Sequence, residues 1–157
     1  MPKAVPVLWS RWIEFLCLIL IFYGLAMVFA PQFMSSALVG PLLYHTETLR
    51  SAFTKLAEPD VTFVNILNGL LGAVTIGYAI IIGWIVYEPF RKGERWSWNA
   101  IAMSITAWAL FEFYVKWTSG LGIWSMAHFG LLVAFAIPLL ASYPYFHPAS
   151  KRQTILR

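Results

Sequence analysis

The sequence predicts an all-α integral membrane protein, a four-helix bundle with a short interfacial amphipathic helix between its first and second spans. Of its 157 residues, 60% are hydrophobic and only 11% are charged, whereas soluble domains average about 25% charged residues. A chain so poor in charge could not cover the surface of a soluble domain. Its apolar residues come in long blocks, as membrane spans require. Many of its eight Trp residues lie near block ends, as in interfacial aromatic belts.

The four predicted spans cover about 12–30, 61–87, 98–117 and 124–143 within a single transmembrane domain, residues 1–157. Pro31 closes the first span because proline cannot continue a helix. Apolar residues then recur at helical spacing, which predicts an amphipathic helix at about 43–57 on the membrane surface. Pro138 is expected to bend the fourth span.

One face of the second span carries small and amide side chains at intervals of three or four residues. Small residues at this spacing allow helices to approach closely in lipid, where van der Waals contact drives association. The same face could pack within the chain or against another copy, and both alternatives remain open. The face consists of Asn65, Asn68, Gly72, Thr75, Ala79 and Gly83.

The distribution of Lys and Arg predicts the orientation. The amino terminus, the loop after the second span and the carboxyl tail hold eight of these residues, against two in the connection after the first span. By the positive-inside rule both termini face the cytoplasm. We expect a multi-pass protein of a bacterial inner membrane.

Several function classes are excluded by pattern. The basic residues occur in short segments between apolar blocks, so nucleic-acid binding is not expected. The single cysteine, Cys17, cannot form an intrachain disulfide. The three histidines are scattered without metal-ligand spacing, and no phosphate loop or nucleophile motif is present. The residues themselves therefore predict no metal and no cofactor.

Glu112 lies well inside the apolar run of the third span. An ionisable residue within a span is costly and faces protein or water, so it marks a candidate functional site. Lys116 follows four residues later, in the favoured order of acid before base. One interpretation is an ion pair that makes burial tolerable while the lysine reaches the interface. The other is a buried acid whose proton affinity is set by apolar surroundings and a nearby ammonium.

The alternating direction of the spans gathers further polar residues at the non-cytoplasmic end. The start of the second span, the end of the third and the start of the fourth all lie there. We therefore expect an intramembrane polar pocket in that leaflet. The candidate catalytic residues are Glu112, Tyr114 and Asn68, and the candidate ligand-binding residues are Asn65, His128, Lys116, Trp108 and Trp117.

Two functions are compatible with such a pocket. In the first, the protein binds a lipophilic small molecule and, if it is an enzyme, isomerises it by acid/base chemistry, which requires no cosubstrate site. In the second, the protein is a non-catalytic accessory or assembly subunit of a larger membrane complex. The expected partners are membrane lipid, the lipophilic ligand, and either further copies of the chain or other subunits.

The general pattern resembles a group of small bacterial membrane proteins. The matching features are an apolar first span that ends near Pro31, a glycine-rich second span, and the segment RKGERW at 91–96. Together they are similar to four-helix proteins of the DoxX-like kind. This resemblance implies the architecture and no particular activity.

Short motifs in the second and third spans carry a second resemblance. Leu67-Asn68-Gly69, Trp108-Ala109 and Phe113-Tyr114 resemble motifs of styrene oxide isomerase, a four-helix membrane enzyme that opens and rearranges epoxides. The resemblance implies that Asn68 and Tyr114 hold and polarise an epoxide oxygen. In that family a histidine six residues before the asparagine ligates haem, and Thr62 stands at this position here. A haem is therefore implied by the resemblance alone.

Overall fold

The computed structural model describes residues 5–34, 58–118 and 126–147. All regular structure within these ranges is helical, as the sequence predicts. Four long helices are present in the described part: α1 (Val7–Phe29), α2 (Glu58–Ile85), α3 (Arg95–Thr118) and α4 (Met126–Phe146). A helical turn, Pro31–Phe33, follows α1, and a π-helical segment, Val86–Phe90, continues α2. The amphipathic helix predicted at 43–57 lies outside the described residues.

Three of these helices are long and apolar enough to cross a membrane, over Val7–Phe29, Asp60–Phe90 and His128–Phe146. The α3 helix has a similar length, 24 residues. It is less apolar because polar residues, among them Asn99, Glu112 and Lys116, interrupt it. The chain is therefore helical with three candidate membrane spans, and a fourth crossing through α3 remains a prediction.

Several helix ends differ from the predicted bounds, and two of these differences involve prolines. The first helix begins at Val7, five residues before the predicted span, and Pro6 precedes it with a φ of −52°. The fourth helix continues to Phe146, beyond the predicted end at 143, with both Pro138 and Pro144 inside it. Proline inside an apolar helix is tolerated where other groups satisfy the freed carbonyls.

Trp12 supplies one such group. Because Pro138 lacks an N–H, the carbonyl oxygen of Ala134 loses its partner within α4. The indole Nε1 of Trp12 in α1 donates to this oxygen at 3.1 Å. Trp12 therefore joins α1 to α4 through a hydrogen bond and does not act only as an interface residue.

The helices alternate in direction along the chain. Arg91, just after the π segment, is ion-paired with Glu14 near the start of α1. Arg95 at the start of α3 donates from Nε to the carbonyl oxygen of Phe146, the last residue of α4, at 2.9 Å. The starts of α1 and α3 and the ends of α2 and α4 therefore form one end of the bundle, which we call the basic end.

The tightest packing of all four helices lies toward the basic end. The rings of Phe90 and Phe146 are 4.7 Å apart there. Further along, the Tyr78 hydroxyl of α2 donates to Ser104 of α3 at 3.0 Å. Such a core fixes the relative positions of the helices. Its buried members include Ile13, Leu16, Ala79, Ile82, Val86, Ile101, Ile105, Phe135 and Leu139.

Two glycines bring α1 and α2 into close contact away from the basic end. A Cβ added at Gly24 would lie 2.7 Å from the carbonyl oxygen of Gly72, and one at Gly72 would lie 2.6 Å from that of Gly24. Both distances are too short for any side chain. The small-residue face of α2 is therefore used for packing against α1.

We expect Gly24→Ala and Gly72→Ala each to destabilise the protein by about 1–3 kcal/mol, the usual range for overpacking. The measurement is unfolding by a denaturing detergent titrated into mild-detergent micelles. Gly69→Ala and Gly77→Ala are matched controls, since a Cβ there meets nothing within 4 Å, and neither should lower stability. Equal losses at all four positions would show that the close contact does not hold the helices together.

Candidate functional site

Two helix contacts lie at the end opposite the basic end. Gly72 of α2 packs on Gly24 of α1, and His128 of α4 contacts Glu112 of α3. The α3–α4 pair holds the candidate acid, because Glu112 and Lys116 lie one turn apart on α3 and His128 lies near the start of α4. This is the end at which the sequence predicts a polar pocket.

Glu112, Lys116 and His128 make a three-way contact. The ammonium of Lys116 is ion-paired with Oε1 of Glu112. Nδ1 of His128 lies 3.1 Å from the same oxygen and 3.2 Å from Nζ of Lys116. We call these three residues the polar triad.

Nδ1 of His128 has two different contacts. It lies within hydrogen-bond distance of the Lys116 ammonium, from which it accepts through its lone pair. Its contact with Oε1 of Glu112 is a close approach without hydrogen-bond geometry, and Oε1 has no hydrogen-bond partner among the described residues. An ammonium, a carboxylate and an imidazole thus meet at one point, and all three are groups that serve in acid/base chemistry.

The polar triad opens into a cavity of about 270 Å³. Its other walls are aromatic or aliphatic, and the indole of Trp108 lies 6.2 Å from the imidazole of His128, centroid to centroid. A few convergent polar groups in a mainly apolar cavity are typical of small-molecule sites. The apolar lining consists of Trp108, Ala109, Phe113, Phe129 and Leu132.

Lys116 and Glu112 form a mostly buried pair. Only 12% of the side chain of Lys116 is exposed, and 20% of that of Glu112. Lys92 and Glu88 near the basic end form a pair of the same spacing, with 60% and 54% of their side chains exposed. Lys116 also lines the cavity, so its ammonium is held in the cavity wall.

Tyr23 of α1 is near the site as well. It lies close enough to Glu112 for the carboxylate charge to act on its phenol. The cavity itself is lined by residues of α3 and α4.

The cavity brings together four of the predicted site residues, Trp108, Glu112, Lys116 and His128. Tyr114 does not line it, because it lies two positions from Glu112, or about 200° around a helix of 3.6 residues per turn. The side chain of Tyr114 is 64% exposed, and that of Trp117 is 65% exposed. Trp117 stacks on the outer side of Phe113, with ring centroids 6.1 Å apart.

The two asparagines of α2 also lie outside the cavity lining. Asn65 and Asn68 are half-buried on the helix that packs against α1. Gly72, one turn beyond Asn68 on the same helix, is in close contact with Gly24 of α1. The asparagine pair is therefore not among the residues that line the cavity.

Sequence reasoning missed Phe129 and Leu132 as lining residues. Both are within one turn of His128 on α4, and i, i+4 spacing from His128 to Leu132 was the available signal. It also missed the Arg91–Glu14 ion pair, which joins residues far apart in the chain. Such a pair carries no local spacing signal.

The haem-ligating position of styrene oxide isomerase lacks its imidazole in this chain. Thr62 offers a hydroxyl there instead. Within the described ranges no group of three or more His, Cys, Asp or Glu side chains could hold a metal ion.

Comparison of the chain with protein-family models, with curated proteins and with solved structures gives no match.

We expect Lys116→Met to cost about 3 kcal/mol of stability, since removing one partner leaves a buried charge uncompensated. Lys92→Met is the matched control and should cost little, because both partners of its pair are exposed. Adding Glu112→Gln to Lys116→Met should recover most of the loss. Detergent-titrated unfolding measures all three. Similar small costs for Lys116→Met and Lys92→Met would contradict the burial of the polar triad.

Proposed function

We propose that this protein binds, and isomerises by acid/base chemistry, a lipophilic small molecule in the cavity next to the polar triad. The observation that carries the proposal is the convergence of Glu112, Lys116 and His128 on one cavity with an apolar and aromatic lining. Ionisable groups are rare in membrane spans and mark functional sites there.

The membrane arrangement proposed is four crossings with both termini in the cytoplasm. At about 1.5 Å per residue, the 24 residues of α3 exceed the hydrocarbon thickness of about 30 Å. Pairing of Glu112 with Lys116 lowers the cost of placing α3 in lipid. Arg11, Arg91 and Arg95 all belong to the basic end, which the positive-inside rule assigns to the cytoplasm. The cavity then opens in the opposite leaflet.

Glu112 is the proposed proton carrier. Its Oε1 contacts two groups that can donate or accept a proton, so a proton can leave and return without bulk water. An isomerisation needs only that exchange, with removal of a proton at one ligand atom and its return at another. The lining aromatic rings would hold the apolar body of the ligand.

An accessory-subunit role is less well supported. That hypothesis takes the small-residue face of α2 as the contact surface for other subunits. In the structure, Gly72 and Ala79 on this face are buried against neighbouring helices of the same chain. A partner would have to bind elsewhere. The polar triad would then serve only helix packing.

Native mass spectrometry of the protein extracted from its own membrane tests the proposal. We expect wild-type protein to carry a lipophile at about one per chain, and Glu112→Gln to lose it because the carboxylate no longer pairs with Lys116. Glu88→Gln is the matched control: the same chemical change at an exposed carboxylate should leave the lipophile bound.

Two results would contradict the proposal. One is stoichiometric partner subunits with no bound small molecule, which would favour the accessory role. The other is equal ligand retention in Glu112→Gln and in wild type.

A further inference from the structure

We propose that Lys116 forms an imine with a lipophilic aldehyde bound in the cavity. The inference rests on the proposed function, since it assigns a substrate class to the same site. It starts from the position of the lysine amine, which lines an apolar cavity instead of lying in the interface. An amine inside such a cavity meets any carbonyl carbon that enters it.

Lys116 has the partners that imine formation needs. An amine attacks a carbonyl only in its unprotonated form, and a base in contact activates it. The carboxylate of Glu112 contacts Nζ, and Nδ1 of His128 lies 3.2 Å from it. Either group can take the proton that the ammonium must lose.

The steps balance within the site. The ammonium gives one proton to Glu112, the amine lone pair forms the C–N bond, and the carbonyl π pair moves to oxygen. Oxygen takes up the proton held by Glu112, and a second proton passes from the attacking nitrogen to the hydroxyl through His128. The C–O bond then breaks with its electron pair leaving on water, and the nitrogen lone pair forms C=N. The net change converts ammonium and aldehyde to protonated imine and one water.

The product keeps the charge balance of the free site. A protonated imine carries the same single positive charge as the ammonium it replaces. Glu112 ends as a carboxylate and remains its counter-ion, so no charge is left unpaired in a low-dielectric environment. An exposed lysine such as Lys92 lacks this enclosure, since 60% of its side chain is open to solvent.

The dimensions of the cavity limit the aldehyde. Its volume of about 270 Å³ is below the usual range of about 300–1,000 Å³ for ligand pockets. A single ring fills this space, and a longer chain would extend through its open side. The rings of Trp108, Phe113 and Phe129 favour an aromatic or conjugated aldehyde, which stacks against such walls.

Reductive trapping tests the inference on the full-length protein in mild detergent. The probe is cinnamaldehyde, with sodium cyanoborohydride to reduce any imine, and peptide mass spectrometry locates the adduct. We expect labelling at Lys116 to exceed that at Lys92 at least tenfold after a short exposure. Lys116→Arg, which keeps the charge but forms no imine, should remove the major adduct, and Lys92→Arg should leave it.

Native mass spectrometry of the unreduced mixture separates the outcomes. Cinnamaldehyde bound at its full mass, without loss of water, would overturn the imine and leave the proposed pocket standing. Labelling at Lys92 equal to that at Lys116 would also overturn it. No bound probe in either form would overturn both the imine and a pocket for this ligand class. The ratio of labelling at Lys116 to labelling at Lys92 is measured in the wild-type protein, so the result does not depend on whether Lys116→Arg folds.

Discussion

A carboxylate within an apolar helix must have partners, and this constraint organises the end of the bundle that carries Glu112. In a low-dielectric environment an unpaired charge costs several kcal/mol. Lys116 supplies the opposite charge from one turn away, and His128 brings a titratable ring from α4. The position of α4 against α3 is thus tied to the chemistry of the site.

The rest of the fold holds those two helices in place. Toward the basic end, Phe90 and Phe146 pack in a core shared by all four helices. There Trp12 donates a hydrogen bond to the carbonyl oxygen of Ala134, which has no partner within α4 because of Pro138. Farther along, Gly24 and Gly72 bring α1 and α2 into close contact. The cavity beside the polar triad is lined by residues of α3 and α4.

Much of this could be predicted from sequence where the signal is local. The apolar blocks predicted the helices, and the i, i+4 spacing predicted the pairing of Glu112 with Lys116. The antiparallel order placed His128 at the same level. Side-chain direction carries no such signal: Tyr114 shares a level with Glu112 but is exposed, and Asn68 on α2 lies outside the cavity lining.

The central claim is that the polar triad serves a ligand and not the stability of the fold. The most direct test is the triple variant Glu112→Leu/Lys116→Met/His128→Leu, compared with wild type by detergent-titrated unfolding and by native mass spectrometry of the membrane extract. Replacing a buried ion network with apolar residues is often neutral or stabilising by about 1–4 kcal/mol. The account predicts a variant at least as stable as wild type that has lost its lipophile. A variant that loses stability but still carries the lipophile would contradict it.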